Sequence, residues 1–185
     1  WGFRNHVLIL PLHQMLSAAA RDVEKDSKGA VAVSHDWSQV VEKDHQRIIH
    51  SLAGNATNPN IYATIFLRLG TPAEDEVINL AKSYGKTKLI EVSLSEAKSI
   101  DRLRQMAIDR ANTLLTEAKS EQRVAAPFSA MVLGLECGGS DAYSGITANP
   151  ALGVASDELV AQGGTSILGE TMEILGAEHL LAKRA

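Results

Sequence analysis

The residues best suited to chemistry gather in the last third of the chain. Between Cys137 and Pro150 lie two adjacent glycines, Gly138 and Gly139, then Ser140, Asp141, Ser144, Thr147 and Asn149. Glycine lets a backbone approach a ligand closely, and short hydroxyl, amide and carboxylate groups suit a polyhydroxylated acid. Cys137 could bind a metal or exchange a proton if its thiolate were stabilised. Glu170, Glu173 and His179 add candidates for metal binding or proton transfer, and His35 offers another in the first third. The same residues have a plainer reading, because Gly, Ser, Asp, Asn and Pro build turns and helix caps. Acidic residues favour helix N-termini for dipole reasons, and a lone Cys at a strand end is commonly buried and inert. Glu173 and His179 would lie about 240° apart on a continuous helix, so they converge only if Gly176 interrupts it.

The elements that must position these groups follow from periodicity. His6 to Leu12 is a compact apolar run ended by Pro11, and Met15, Leu16, Ala19, Ala20 and Val23 recur at helical spacing after it. Ala30 to Val33 predicts a short strand ending near His35, and Val40 to Leu52 a helix, before Asn58, Pro59 and Asn60 break the chain. Ile61 to Leu67 is β-branched and aromatic. Thr71 and Pro72 then open a helix to about Tyr84 through a Thr cap and a Pro at the first helical position. Lys88 to Val92 predicts a fourth strand, and Ser95 to about Gln122 one long charged helix with an apolar stripe. Phe128 to Leu135 reads as the clearest buried strand. After the Gly-rich loop come a helix from Ala155 to Ala161, a sixth strand at Thr165 to Leu168, and a last helix around Thr171 to Lys183.

Strands alternating with helices imply an α/β fold: a layered, mostly parallel sheet of about six strands with helices on both faces, in a single domain over 1–185. In such sheets ligands sit beyond the carboxyl ends of the strands, where His13, His35 and the Cys137 loop fall, with Glu170 and Glu173 just past the sixth strand. The formal charge of -4 and the lack of a basic run with interleaved aromatics speak against nucleic acid as a partner. The longest apolar stretches are too short to span a bilayer, and no signal-peptide pattern opens the sequence. With one cysteine and so no internal disulfide, a reducing cytoplasm is the expected setting.

Residues 134–153, GLECGGSDAYSGITANPALG, closely resemble the signature of the galactarate dehydratase and altronate dehydratase family. Residues 169–181, GETMEILGAEHLL, resemble the family's next block, and 2–11, GFRNHVLILP, its opening strand. The resemblance implies a lyase that removes water from a sugar acid to give a 2-keto-3-deoxy acid, typically with iron(II). A related branch implies instead the removal of sulfite from sulfolactate. It also implies that the chain corresponds to the central part of a longer lyase, working with the rest of that chain or a second subunit, or as a homo-oligomer.

On that resemblance Cys137, Asp141 and His35 are catalytic candidates, Gly138, Gly139, Ser140, Ser144, Thr147 and Asn149 bind substrate, and Glu170, Glu173 and His179 hold iron(II) or manganese(II). Oxygen and imidazole donors suit either ion, whereas a single Cys argues against a four-thiolate cluster. The sequence departs from the family at His13 to Leu16, Asp36 to Gln39 and Leu69 to Glu74, where relatives carry cysteines or a Gly-Cys-Glu-Asn-like block. Those departures suit the sulfolactate branch, or a noncatalytic domain that binds a sugar acid and needs a second polypeptide.

Overall fold

The computed structural model of the protein describes residues 2–38, 44–139 and 141–184. It divides into two compact units, Gly2–Arg123 and the residues from Val124 onward. The first holds four parallel strands, β1 (His6–Pro11), β2 (Ala30–Ala32), β3 (Ile61–Arg68) and β4 (Leu89–Ser93), in the order β2-β1-β3-β4. Its helices are α1 (Ser17–Asp26), α2 (His45–Thr57), α3 (Pro72–Ser83), α4 (Leu94–Ala97) and α5 (Ile100–Ser120).

Strand alternation sorts the core of this unit into two layers. Val7 and Ile9 of β1 and Ile65 and Leu67 of β3 pack with Leu16, Val23, Leu103 and Ala107 beneath α1 and α5. Leu8, Leu10 and Phe66 point the other way and pack with Ile49, Leu52, Val77 and Ile78 of α2 and α3. Helices thus cover both faces, as the alternating pattern predicts. Each of the buried Val, Leu, Ile and Phe side chains contributes roughly 1.5–3 kcal/mol, which makes the two layers the main stabilising term. The start of the predicted second helix, at Val40 and Val41, lies outside the described residues; from His45 the helix is present.

The opening motif has a packing role. A side chain on Gly2 would overlap the Pro59 carbonyl. Asn60 Oδ1 accepts from the backbone N–H groups of Phe3 (2.6 Å) and Arg4 (3.1 Å), which clamps this segment to the start of β3.

The single long helix expected from Ser95 is two helices. Lys98 takes a left-handed φ of 66° and closes α4, and Ser99 caps α5 by accepting from Arg102 N–H at 3.2 Å. The charged periodicity runs across the break, so pattern alone could not show it. Replacing Ser99 by Ala should lower stability by about 1 kcal/mol, read as a shift in urea midpoint at constant slope.

One sheet of six strands was expected; the six divide between two sheets. After β4, α5 turns back onto the face already occupied by α1, and an exposed polar stretch from Glu121 follows it instead of a fifth strand. The second unit carries β5 (Val132–Leu135) and β6 (Thr165–Leu168), parallel neighbours joined through α6 (Ala148–Ala161), with α7 (Glu178–Ala182) after them. Phe128–Ala130 is a 3-10 turn, and Phe128 and Val132 are 58% and 60% exposed, so the predicted buried strand is shorter and far more open than its composition suggests. Among the described residues no helix is long and apolar enough to cross a membrane.

Candidate functional site

Because β5 and β6 pair in parallel, the loops that leave their carboxyl ends emerge side by side. Gly169 N–H donates to Leu135 C=O at 2.7 Å, extending the ladder one step past β6. Cys137 N–H then donates to Glu170 Oε2 at 3.3 Å. A cavity of about 470 Å³ opens at this edge, lined among others by Cys137, Gly138, Gly139, Ser144, Asn149 and Glu173.

Within the unit, one donor atom each from Cys137, Glu170 and Glu173 lie within 4.8 Å of one another. Donors about 2.0–2.3 Å from a common ion are separated by no more than about 4.6 Å, so the three can share one ion with little rearrangement. A thiolate with two carboxylates suits a borderline divalent ion better than calcium or magnesium. Glu170 adopts left-handed backbone angles, φ 53° and ψ 62°, a conformation that disfavours side chains other than Gly, Asn or Asp.

The other predicted residues divide. Asp141 and Thr147 do not line the cavity. Asp141 Oδ1 accepts from the N–H groups of Tyr143 (2.7 Å) and Ser144 (2.9 Å) and from Ser144 Oγ (3.3 Å), while Thr147 Oγ1 donates to Tyr143 C=O at 2.8 Å. These are turn contacts. Ser140 lies outside the described residues. His179 is exposed on α7; Gly176, at φ 86°, does interrupt the helix, yet His179 stays outside the cluster that Glu173 joins.

His35 belongs to the first unit, where Nε2 meets Pro11 C=O at 2.7 Å and Nδ1 accepts from Trp37 N–H at 3.1 Å. Both ring nitrogens are engaged by main chain, which fixes the Nε2–H tautomer. His13 caps the turn after β1 by accepting from Met15 N–H, and His45 and His50 pair with Glu76 and Tyr84 on the surface.

Sequence reasoning missed Glu136, which lines the cavity beside Cys137, and Gly169. Both fall inside the matched motifs, but only the strand register shows that they face one edge. It also missed Glu74, which is completely buried. Its carboxylate accepts from the N–H groups of Leu69 (2.8 Å), Gly70 (2.6 Å) and Thr71 (2.8 Å). The carboxyl end of β3, where a doubly wound sheet usually receives a ligand, is therefore filled by the chain's own acid.

The backbone hydrogen bonds from Tyr143, then Ser144, hold the Asp141 carboxyl below its ordinary value of 3.8. A depressed folded pKa means that its contribution is complete above the unfolded value and disappears as pH falls through the folded one. Protection of the Tyr143 and Ser144 amides, measured against their intrinsic exchange rates, should therefore fall only as pH drops through the depressed folded value, below 3.8, and in Asp141→Ala it should be absent already at pH 7.

Comparison with known proteins gives these positions a context. The family described as D-galactarate dehydratase/Altronate hydrolase, second domain, matches residues 1–119, and D-galactarate/Altronate dehydratase, C-terminal, matches 128–185. The two compact units divide within the short stretch, 120–127, that separates the two matches. The (2R)-sulfolactate sulfo-lyase subunit beta of Chromohalobacter salexigens is 33% identical over 184 residues, 99% of this chain and 47% of that protein. Bacillus subtilis altronate dehydratase is 35% identical over 142 residues, 77% of this chain and 28% of the relative. Escherichia coli galactarate dehydratase (L-threo-forming) reaches 51% identity over 71 residues, 38% and 14% of the two chains. The chain thus spans less than half the length of each of these relatives. On these matches, covering both units, it belongs to the galactarate and altronate dehydratase family.

Proposed function

We propose that the second unit carries the metal and substrate site of a lyase that dehydrates a sugar acid such as galactarate or altronate to a 2-keto-3-deoxy acid. The observation that carries this reading is the convergence of Cys137, Glu170 and Glu173 at the β5–β6 carboxyl edge, where Cys137 and Glu173 also line the cavity. Iron(II) or manganese(II) held by these three residues would stabilise the negative charge that develops next to the substrate carboxylate. Ser144 and Asn149 hold substrate hydroxyls, and the Gly138-Gly139 backbone admits the carboxylate. Glu136 is the remaining cavity carboxylate and takes the proton from the carbon bearing the 2-hydroxyl. Hydroxide leaves the next carbon and takes the proton now held by Glu136, so that water departs and the carboxylate is restored, and the resulting enol tautomerises to the 2-keto acid.

A second reading is favoured by the relative that aligns with nearly the whole chain, whose name specifies sulfolactate. The same proton removal would there expel sulfite from the adjacent carbon. Anaerobically purified protein loaded with iron(II) should yield a 2-keto acid from galactarate or altronate and lose that activity in chelator. Full activity in excess chelator would remove the metal from the reaction. Sulfite from sulfolactate with no turnover of sugar acids would favour the second reading, and tight binding of sugar acids without turnover would leave a binding domain.

A further inference from the structure

Helix α6 carries a glycine that the helix itself does not explain. Gly153 lies well inside Ala148–Ala161, where glycine loses more backbone freedom on folding than alanine would and so weakens the helix. Two structural reasons usually account for such a residue, a left-handed backbone or a neighbour too close for a Cβ. Neither holds here. The φ of Gly153 is not positive, and a Cβ built on it meets nothing within 4 Å among the described residues. Gly164 shows the contrast, because a Cβ there would overlap the Leu159 side chain.

What Gly153 does face is the cavity at the β5–β6 carboxyl edge. Ala148, Asn149, Leu152 and Gly153 all line it, and at about 100° per residue these four fall within about 140° of the helix circumference. Ser156 continues the same face and bonds Ser166 Oγ at 2.8 Å, so α6 rests on the sheet there and overhangs the cavity with its first turns. The lining has a polar and an apolar side. Ser144 and Asn149 offer a hydroxyl and an amide, and Leu135, Leu152 and Leu168 offer carbon. An extended hydroxy acid presents C–H as well as O–H groups and suits a slot of that kind.

We infer that Gly153 is a specificity-determining residue, whose missing side chain keeps open the part of the cavity that takes the carbon chain of a six-carbon hydroxy acid beyond the carbons that react. The inference rests on the reading of this cavity as a sugar-acid site and adds which residue sets the length it accepts. The carboxylate and the two reacting carbons lie against the Gly138-Gly139 backbone and the Cys137, Glu170 and Glu173 cluster. A short acid needs no more room than that. The remaining carbons of galactarate or altronate pass along α6, where the bare backbone at Gly153 admits them.

The test compares Gly153→Ala and Gly153→Leu with the parent, each loaded with manganese(II), by melting temperature and by titration with galactarate, altronate and the two-carbon acid oxalate. Alanine should raise the melting temperature of the second unit by about 3–8 °C, because nothing in the fold opposes its Cβ. Leucine, nearly as good a helix former, should leave the unit at least as stable as the parent. It should weaken galactarate and altronate at least about tenfold, while manganese(II) and oxalate affinities change less than about threefold. A lower melting temperature in the alanine variant would show that packing requires this glycine and would overturn the inference. Equal weakening of oxalate would do so too, since the leucine would then block the whole cavity and set no length. If the leucine variant binds the six-carbon acids as the parent does, the inference fails and the sugar-acid reading stands without it. A parent that binds neither galactarate nor altronate would sink that reading and this inference together.

Discussion

Replacing Glu170 by Gln is expected to lower manganese(II) affinity by about ten- to a hundredfold while the second unit stays folded. The amide keeps the size of the side chain and retains an oxygen able to accept from Cys137 N–H, so a role limited to that hydrogen bond would survive the change. What disappears is a charged oxygen donor, worth about 1.5–3 kcal/mol when it forms a charge-assisted contact. Glu170→Gly makes a sharper comparison. Glycine adopts the left-handed angles found there without steric cost, although it also gains freedom in the unfolded chain. Stability should hold or rise by up to about 1 kcal/mol while the metal affinity falls. Isothermal titration with manganese(II), beside urea unfolding, reads both quantities. If the affinities of both variants match the parent, Glu170 is no ligand.

Glu74→Ala should be the most destabilising single change in the first unit. It strips the acceptor from three backbone donors at once and leaves a void where a fully buried side chain stood. Breaking one side of a buried charged network costs about 3–5 kcal/mol, against a total of roughly 6–18 kcal/mol for a unit of this size. A drop in melting temperature of roughly 10–20 °C is expected for the transition of this unit. Glu74→Gln keeps one acceptor oxygen but turns an amide NH₂ toward donors, and should fall between the two. Arg68 is the neighbouring group that would report the loss, since its Nε lies 3.8 Å from Glu74 while its other nitrogens bond Asp75 and Glu91 at 2.6 Å. Burial opposes the charge of this guanidinium, and those two bonds outweigh it and raise its pKa. A melting temperature within a few degrees of the parent would show that water replaces the carboxylate at little cost.

The first unit was the more legible in the sequence because its periodicities report its own packing. Strands β1 and β3 and the Thr71-Pro72 helix start fall within a residue or so of where pattern places them. The break at Lys98 was hidden because left-handed angles at one lysine leave no mark on a charged stripe. The second unit misled for another reason. The apolar composition of Phe128 to Leu135 encodes burial, yet among the described residues of the second unit little covers that strand. For the site, the family motif located the cavity loop, but composition could not separate Cys137, which lines the cavity, from Asp141, which holds a turn. That distinction depends on which loop residues sit over the neighbouring strand end. His35 shows the same limit: its position after a strand suggested a ligand contact, and main-chain partners take both of its nitrogens.

The pairing of β5 with β6 also governs when the cluster can come into being. Cys137 and Glu170 are 33 residues apart, and they meet only after the intervening crossover has closed. Closing a loop of that length carries an entropic cost that local contacts do not repay until both strands are in register. At the proposed metal site an ion present during synthesis would therefore meet an isolated thiol first and a competent chelate only afterwards. Loading would be a late event coupled to folding, and the melting temperature of this unit is then expected to climb with free manganese(II) while that of the four-stranded unit stays fixed.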